Sequence, residues 1–235
     1  MKQGDVIYGQ VEEGQWSVIK LLDIDTNDDG GTFHCLFYEL LDHQPTLDDR
    51  PSFKVMAWHA PINCEEIRKK WTVLCSEDVQ PDELEGFHEY LKHTDFPRYL
   101  SITGQNAEDV VKQANAYYQQ GLTLTDQGKT DEAIQCYTKA IAIFPLFYEA
   151  VDNRAYVYMD KGDDENALAG FQQSLQINPH GMHALFSYGE CLLKLKRYEE
   201  AEHVFQTFLN KFSEHKSAAQ RFLKQAQTYT GNKTA

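Results

Sequence analysis

The strongest constraint on this chain is a period of 34 residues that fills its second half. Ala114 to Pro145 aligns with Tyr148 to Pro179 and, less closely, with Met182 to Ser213. Apolar residues at helical spacing predict two helices per unit. The first helix of each unit carries a small residue near its middle, Gly121, Ala155 and Gly189. The second carries Ala133, Ala167 and Ala201, followed four residues later by Tyr137, Phe171 and Phe205. A small position lets two helix backbones approach, and an aromatic ring across the hairpin fills the space that remains. Gly128 and Gly162 fall at the turn between helices, and Pro145 and Pro179 at the end of each pair. Asn106, followed by Glu108 and Asp109, is placed to cap the first helix.

These residues make the chain from about 112 to 230 resemble a tetratricopeptide repeat (TPR) domain, with units at about 114–147, 148–181 and 182–215 and a cap at 216–230. The bulky first-helix position departs from the family's tryptophan, being Tyr117, Val151 and Leu185. The third unit has Lys196 at the turn and Ser213 where proline is expected, and Lys216, Gln220, Lys224 and Gln227 fit the solvent side of a closing helix. The resemblance implies an all-α superhelix that binds a protein or peptide in the groove lined by its first helices. On matching positions that lining is Asn115, Tyr118, Leu122, Glu149, Asp152, Asn153, Tyr156, Met159, His183, Phe186 and Glu190. In the subfamily that grips the acidic tails of heat-shock chaperones, lysines, an arginine and two asparagines clamp the carboxylates. Only Asn153 matches here, and Tyr118, His183 and Ser187 stand at the cationic places. An acidic tail is therefore disfavoured, since it would meet Glu149 and Asp152 without compensating cations.

The first half differs in kind. The chain of 235 residues has a formal charge of −14, and residues 1–104 hold 9 Lys/Arg against 20 Asp/Glu, a net of −11. All three tryptophans and five of the seven prolines also fall there. Short β-rich runs, Val6 to Val11, Trp16 to Leu22, Thr32 to Leu41 and Phe53 to Trp58, alternate with turn-forming stretches. A fifth strand is expected at Trp71 to Cys75, then a helix from near Pro81 through Tyr90 whose Leu84, Phe87, His88 and Leu91 close one face. The expected fold is thus α+β in two domains: an antiparallel sheet or barrel plus helix over 1–104, and the helical repeats over 105–235. The linker is expected at Ser101 to Gln105. Such acidity disfavours nucleic acid and anionic membranes and favours a basic partner. No apolar run is long enough for a membrane span or signal peptide, so a cytoplasmic location is expected.

Chemistry-bearing motifs are sparse. The five cysteines form no Cys-x-x-Cys pair and read as reduced thiols. Asp25, Asn27 and Asp29 with Gly30 fit the first half of a calcium loop, but Leu36 stands where a bidentate glutamate is needed, so a hairpin turn is favoured. His88 and His93 are five apart and diverge on a helix, while His180 and His183 lack a third ligand. Arg68-Lys69-Lys70 follows Glu65 and Glu66, which suggests a salt-bridged helix face. No nucleophile elbow, phosphate loop or dinucleotide fingerprint is present. The expectation is a non-catalytic interaction module without cofactor. An inhibitor or immunity protein that covers a basic toxin or nuclease with the acidic domain is the alternative. An enzyme of unrecognised type with a site between the domains is the third reading.

Overall fold

The structure is a computed structural model that describes residues 1–25, 31–212 and 216–231. It divides into two compact units, Met1–Gly104 and Gln105–Ala235.

The first unit is an open, antiparallel five-stranded sheet. Its strands are β1 (Asp5–Glu12), β2 (Gln15–Asp25), β3 (Thr32–Tyr38), β4 (Val55–Asn63) and β5 (Thr72–Ser76), in the order β4-β3-β2-β1-β5. Alternate side chains go to opposite faces, and both faces are buried. Val6, Val18, Leu22, Leu36 and Tyr38 pack under Phe87 and Leu91 of α2 (Glu85–Thr94). Ile7, Ile19, Leu21, Phe33 and Cys35 pack under Cys64 and Ile67 of the short α1 (Cys64–Arg68). A 3-10 turn at Pro81–Leu84 leads into α2. Asp95 then caps α3 (Phe96–Thr103), and Gly104, at φ +67°, ends it.

Several boundaries differ from those expected. β3 ends at Tyr38; beyond it the Glu39 N–H still donates to the Lys54 carbonyl at 2.8 Å, and Leu41 joins Trp16 through an isolated bridge. β4 runs past Trp58 to Asn63 because it is an edge strand, where the missing N–H of Pro61 costs no ladder bond. Ser101–Thr103, expected as linker, is the last turn of α3. Of the basic run, Arg68 ends α1 and Lys69 reaches Glu65 at 3.6 Å.

One cation organises the α2 side of the sheet. Lys20 is 1% exposed, and its ammonium donates to Glu83 at 2.7 Å and the Asp78 carbonyl at 3.0 Å and pairs with Glu77 at 2.9 Å. Arg50 also binds Glu77, and its guanidinium holds that carboxyl below the usual range. With three oxygens around it, Lys20 is a satisfied buried charge.

The described residues of the second unit form three helical hairpins and a closing helix. The hairpins are α4 (Ala107–Asp126) with α5 (Thr130–Ile143), α6 (Tyr148–Asp160) with α7 (Asp164–Ile177), and α8 (Met182–Lys194) with α9 (Tyr198–Lys211). Asn106 caps α4 by accepting from the Glu108 and Asp109 amides. A Cβ on Gly121 would lie 2.6 Å from the Tyr137 ring, and one on Gly189 would lie 2.7 Å from Phe205. In the middle hairpin the larger Ala155 takes that place, and the space is recovered opposite it, where a Cβ on Gly170 would meet Ala155 at 2.7 Å. The closing helix α10 (Lys216–Gly231) stacks Phe222 on Phe205 and Tyr229 on Tyr198, leaving Lys216, Gln220, Lys224 and Gln227 exposed.

The three hairpin turns share one backbone shape, with positive φ at Gly128 (+71°), Gly162 (+75°) and Lys196 (+59°). Lysine carries a Cβ into a region that disfavours it. Lys196→Gly should therefore raise the stability of the repeat unit by ~1 kcal/mol in thermal melts followed at 222 nm. Lys20→Ala, which strips the cation from Glu77 and Glu83, should destabilise the first unit by ~3 kcal/mol in urea titrations read by tryptophan fluorescence.

Candidate functional site

The period places the first-helix residues in columns of three, and polar contacts join α4, α6 and α8 along them. Tyr118 of α4 accepts a hydrogen bond from Asn153 of α6 at 3.0 Å, and Asn153 also donates to the Glu149 carbonyl at 2.9 Å. Ser187 of α8 donates to the Tyr156 hydroxyl of α6 at 3.3 Å. Asn115 and His183 are exposed, whereas Leu122, Glu149, Met159 and Glu190 are half-buried. Burial pushes the Tyr118 and Tyr156 hydroxyls up, and the Glu149 charge adds to the shift at Tyr118.

The aromatic residues are engaged in packing as well as lining. Tyr118 lies 4.9 Å from Phe147, ring to ring, and Tyr156 meets Phe171 edge-on at 4.9 Å. Phe186 contacts Phe205, Phe208 and Phe222, so the closing helix covers part of a ring expected to lie open in the groove. Beside it remains a hollow of about 150 Å³ lined by Met182, His183, Phe186, Phe208 and Ala218.

One column holds an anomaly. Tyr118, Asp152 and Phe186 occupy the same place in successive units, and across from them stand Ala140, Ser174 and Phe208. Phe186 and Phe208 pack ring to ring at 5.3 Å in the third hairpin. The middle hairpin puts a carboxyl and a hydroxyl there instead. Ser174 is fully buried and faces Asp152, but the two fall short of a full hydrogen bond, so Asp152 Oδ1 is buried without a partner. Burial raises the Asp152 carboxyl above its usual value, Glu149 adds to the rise, and Ser174 and His183 oppose it. Burial likewise raises Glu190 against the pull of Lys194 and Arg221. Ser174 was not among the expected site residues, although a serine where the other units carry Ala140 and Phe208 is visible in the aligned repeats.

The other candidate motifs do not converge. Asp25 is hydrogen-bonded to His34 and paired with Arg98, while Asn27 and Asp29 lie outside the described residues. His93 pairs with Glu89 and not with His88. No group of three or more potential metal ligands occurs among the described residues. No helix among them is long and apolar enough to cross a membrane.

Family models described as tetratricopeptide repeat match residues 114–146 and 158–226. Residues 114–226 are tetratricopeptide repeats. No family model matches the N-terminal unit. Among curated proteins, the Photosystem I assembly protein Ycf3 of Synechococcus sp. (strain WH7803) is 32% identical over 94 residues, 39% of this chain and 54% of the relative. The tetratricopeptide repeat protein 36 homolog of Nematostella vectensis is 32% identical over 83 residues, 35% of this chain and 45% of the relative. The chain thus spans about half the length of the curated relatives it matches. Among solved structures, the first TPR of Spaghetti (RPAP3) bound to an HSP90 peptide is 24% identical, covers 51% of this chain and 94% of its own, and superposes with a TM-score of 0.48. The second TPR domain of human RPAP3 with an HSP70 peptide is 25% identical over 49% and 96% of the two chains, with a TM-score of 0.46. Tetratricopeptide scaffolds typically bind proteins or peptides and are typically non-catalytic.

The raised Asp152 carboxyl has a stability consequence with a definite sign. Its ionised form is disfavoured in the folded state, so it lowers stability above its folded pKa and has no such effect below the usual carboxylate range. Asp152→Asn should melt at a higher temperature than the native chain near neutral pH, and the gap should close as the pH falls towards about 4.

Proposed function

We propose that this chain is a non-catalytic interaction module whose repeat groove holds an extended segment of a partner protein bearing a cationic side chain followed by an apolar one. The observation that carries this reading is Asp152. It puts a buried, unpartnered carboxylate oxygen at a position that is aromatic in the neighbouring repeats, where an apolar residue would stabilise the fold better. A lysine or arginine brought to the half-buried Asp152 carboxylate and to Glu149 would supply the missing counter-charge in a partly dehydrated setting, where such a pair is strong. The hollow beside Phe186 would take the apolar side chain. An acidic tail fits poorly, since Asn153 is already committed to Tyr118 and Glu149 and no lysine or arginine stands at the matching positions. The net charge of −11 on residues 1–104 favours the same sign of partner and would speed its approach. Relatives named as assembly proteins support a role in holding other proteins together.

Fluorescence anisotropy of labelled peptides against the full chain tests this. Peptides pairing Lys or Arg with Leu or Phe should bind, and acidic-tail peptides should not. Asp152→Asn should weaken the cationic peptides by about tenfold, roughly 1.4 kcal/mol. Equal binding of acidic tails, or no effect of Asp152→Asn, would overturn the assignment.

A further inference from the structure

On the α2 side of the sheet in the first unit, three titratable groups form one hydrogen-bonded chain. Asp25 Oδ2 lies 2.9 Å from His34 Nε2, and His34 Nδ1 lies 3.0 Å from His59 Nε2. His34 is 2% exposed and His59 is half-buried. Two irregularities in the sheet build this alignment. Between Leu21 and Asp23 the register of β2 against β3 shifts, so Leu22 and then Asp23 and Asp25 all face the same side. In β4, Trp58 and His59 together stand opposite Leu36, and the bulge directs His59 at His34.

Every element packed here presents a group to the pair. From β2 come Asp23 and Asp25, both bound at 2.7 Å by Arg98 of α3. On the other face of the sheet, burial raises the Cys64 thiol of α1, and the Asp25 charge adds to the rise. From α2, the Phe87 ring lies 4.6 Å from His34, and the Tyr90 ring 4.5 Å from His59. His88 lies beside Phe87, and Arg98 covers the Phe87 ring at 5.5 Å. The two histidines are therefore the polar seam between the sheet and the pair α2–α3.

We propose that His34 and His59 form a proton-operated latch that holds α2 and α3 on the sheet and releases them in acid. A carboxylate only accepts, so His34 Nε2–H donates to Asp25, and its Nδ1 is left to accept from His59 Nε2–H. One added proton is accommodated by the pair, because one of the two facing ring nitrogens can still accept from the other, and the bond between the rings survives. A second proton leaves both facing nitrogens carrying hydrogen and sets two positive charges face to face across 3.0 Å with nothing to accept either hydrogen. Burial, reinforced by His34, pushes the His59 pKa down to about 4. The released state, with an ordinary histidine value of ~6.5, binds more protons. The closed state is then fully favoured above that value and loses ground as the pH falls towards about 4. Burial tends to raise the Asp25 carboxyl, but hydrogen bonds from His34 and Arg98 outweigh it and hold it below its usual value, so Asp25 stays ionised through this window.

All three tryptophans lie in the first unit and Trp58 adjoins His59, so tryptophan emission reports this unit alone. The full chain is titrated from about pH 7 to about pH 4, following that emission, binding of an apolar dye, and the histidine Cε1–H signals by NMR. The latch requires a red shift and dye binding as α2 lifts from the sheet, with at least one of the two histidines titrating well below ~6.5. His59→Gln keeps an amide that can donate to His34 or accept from it and takes up no proton. It should move the transition to lower pH by about one unit or more. An unchanged midpoint in His59→Gln would overturn the proposal. If that variant does not fold, the NMR titration of the native chain decides, and two independent histidines with ordinary values would equally overturn it.

Discussion

Each hairpin of the repeat unit closes at a point where one residue has no side chain to spare, and the spacing of the whole array follows from it. Gly121 lies against Tyr137 and Gly189 against Phe205, close enough that any Cβ would enter the ring. The middle hairpin has the volumes exchanged, Ala155 on the first helix and Gly170 on the second. Tyr137, Phe171 and Phe205 are all fully buried in consequence. Because helix interiors are close-packed, a one-carbon error here displaces a backbone and not a side-chain tip. The columns of residues along α4, α6 and α8 are aligned only because this approach repeats. The bonds Asn153 to Tyr118 and Ser187 to Tyr156 span successive helices on that account.

The repeat half was legible because its information is periodic. The small positions, the aromatic four residues after each alanine and the glycine turns recur at a fixed interval, so each unit checks the others. Gly170 and Ser174 escaped notice for the complementary reason: they are exceptions within a column, meaningful only against Cys136 and Val204 or against Ala140 and Phe208. In the first half, alternation located the strands but not their irregularities. The shift after Leu21 and the bulge at Trp58 and His59 each reverse which residues face α2, and a period of two carries no signal for an inserted residue. The chain Asp25, His34 and His59 therefore could not be assembled from spacing. α1 is too short to show a helical period, and α3 was announced only by Asp95 and Pro97, a capping signal overshadowed by the glycine that ends it.

Two buried ionisable groups of the first unit are held differently from Asp152 of the second. Lys20 has three oxygen partners, and His34 is bonded through both ring nitrogens, so these two side chains have their hydrogen bonds supplied by their own sheet and helices, whereas the nearby Tyr38 hydroxyl is buried without one. Such networks fix one arrangement of elements, because any shift leaves a charge or a donor unpaired. Asp152 is the contrast: Ser174 and His183 favour its charge, but burial and the like charge of Glu149 outweigh them, and Oδ1 stays buried without a hydrogen bond. A fold under selection for stability alone would carry at this place the aromatic residue found one repeat earlier and one repeat later. Under the proposed function the carboxylate that costs stability in the free protein is compensated by the partner, and an interaction completed by the partner discriminates among partners more sharply than one already satisfied at home. The apolar pattern of this column is broken in the middle repeat, at Asp152 and Ser174, and the proposed cationic partner would be read there.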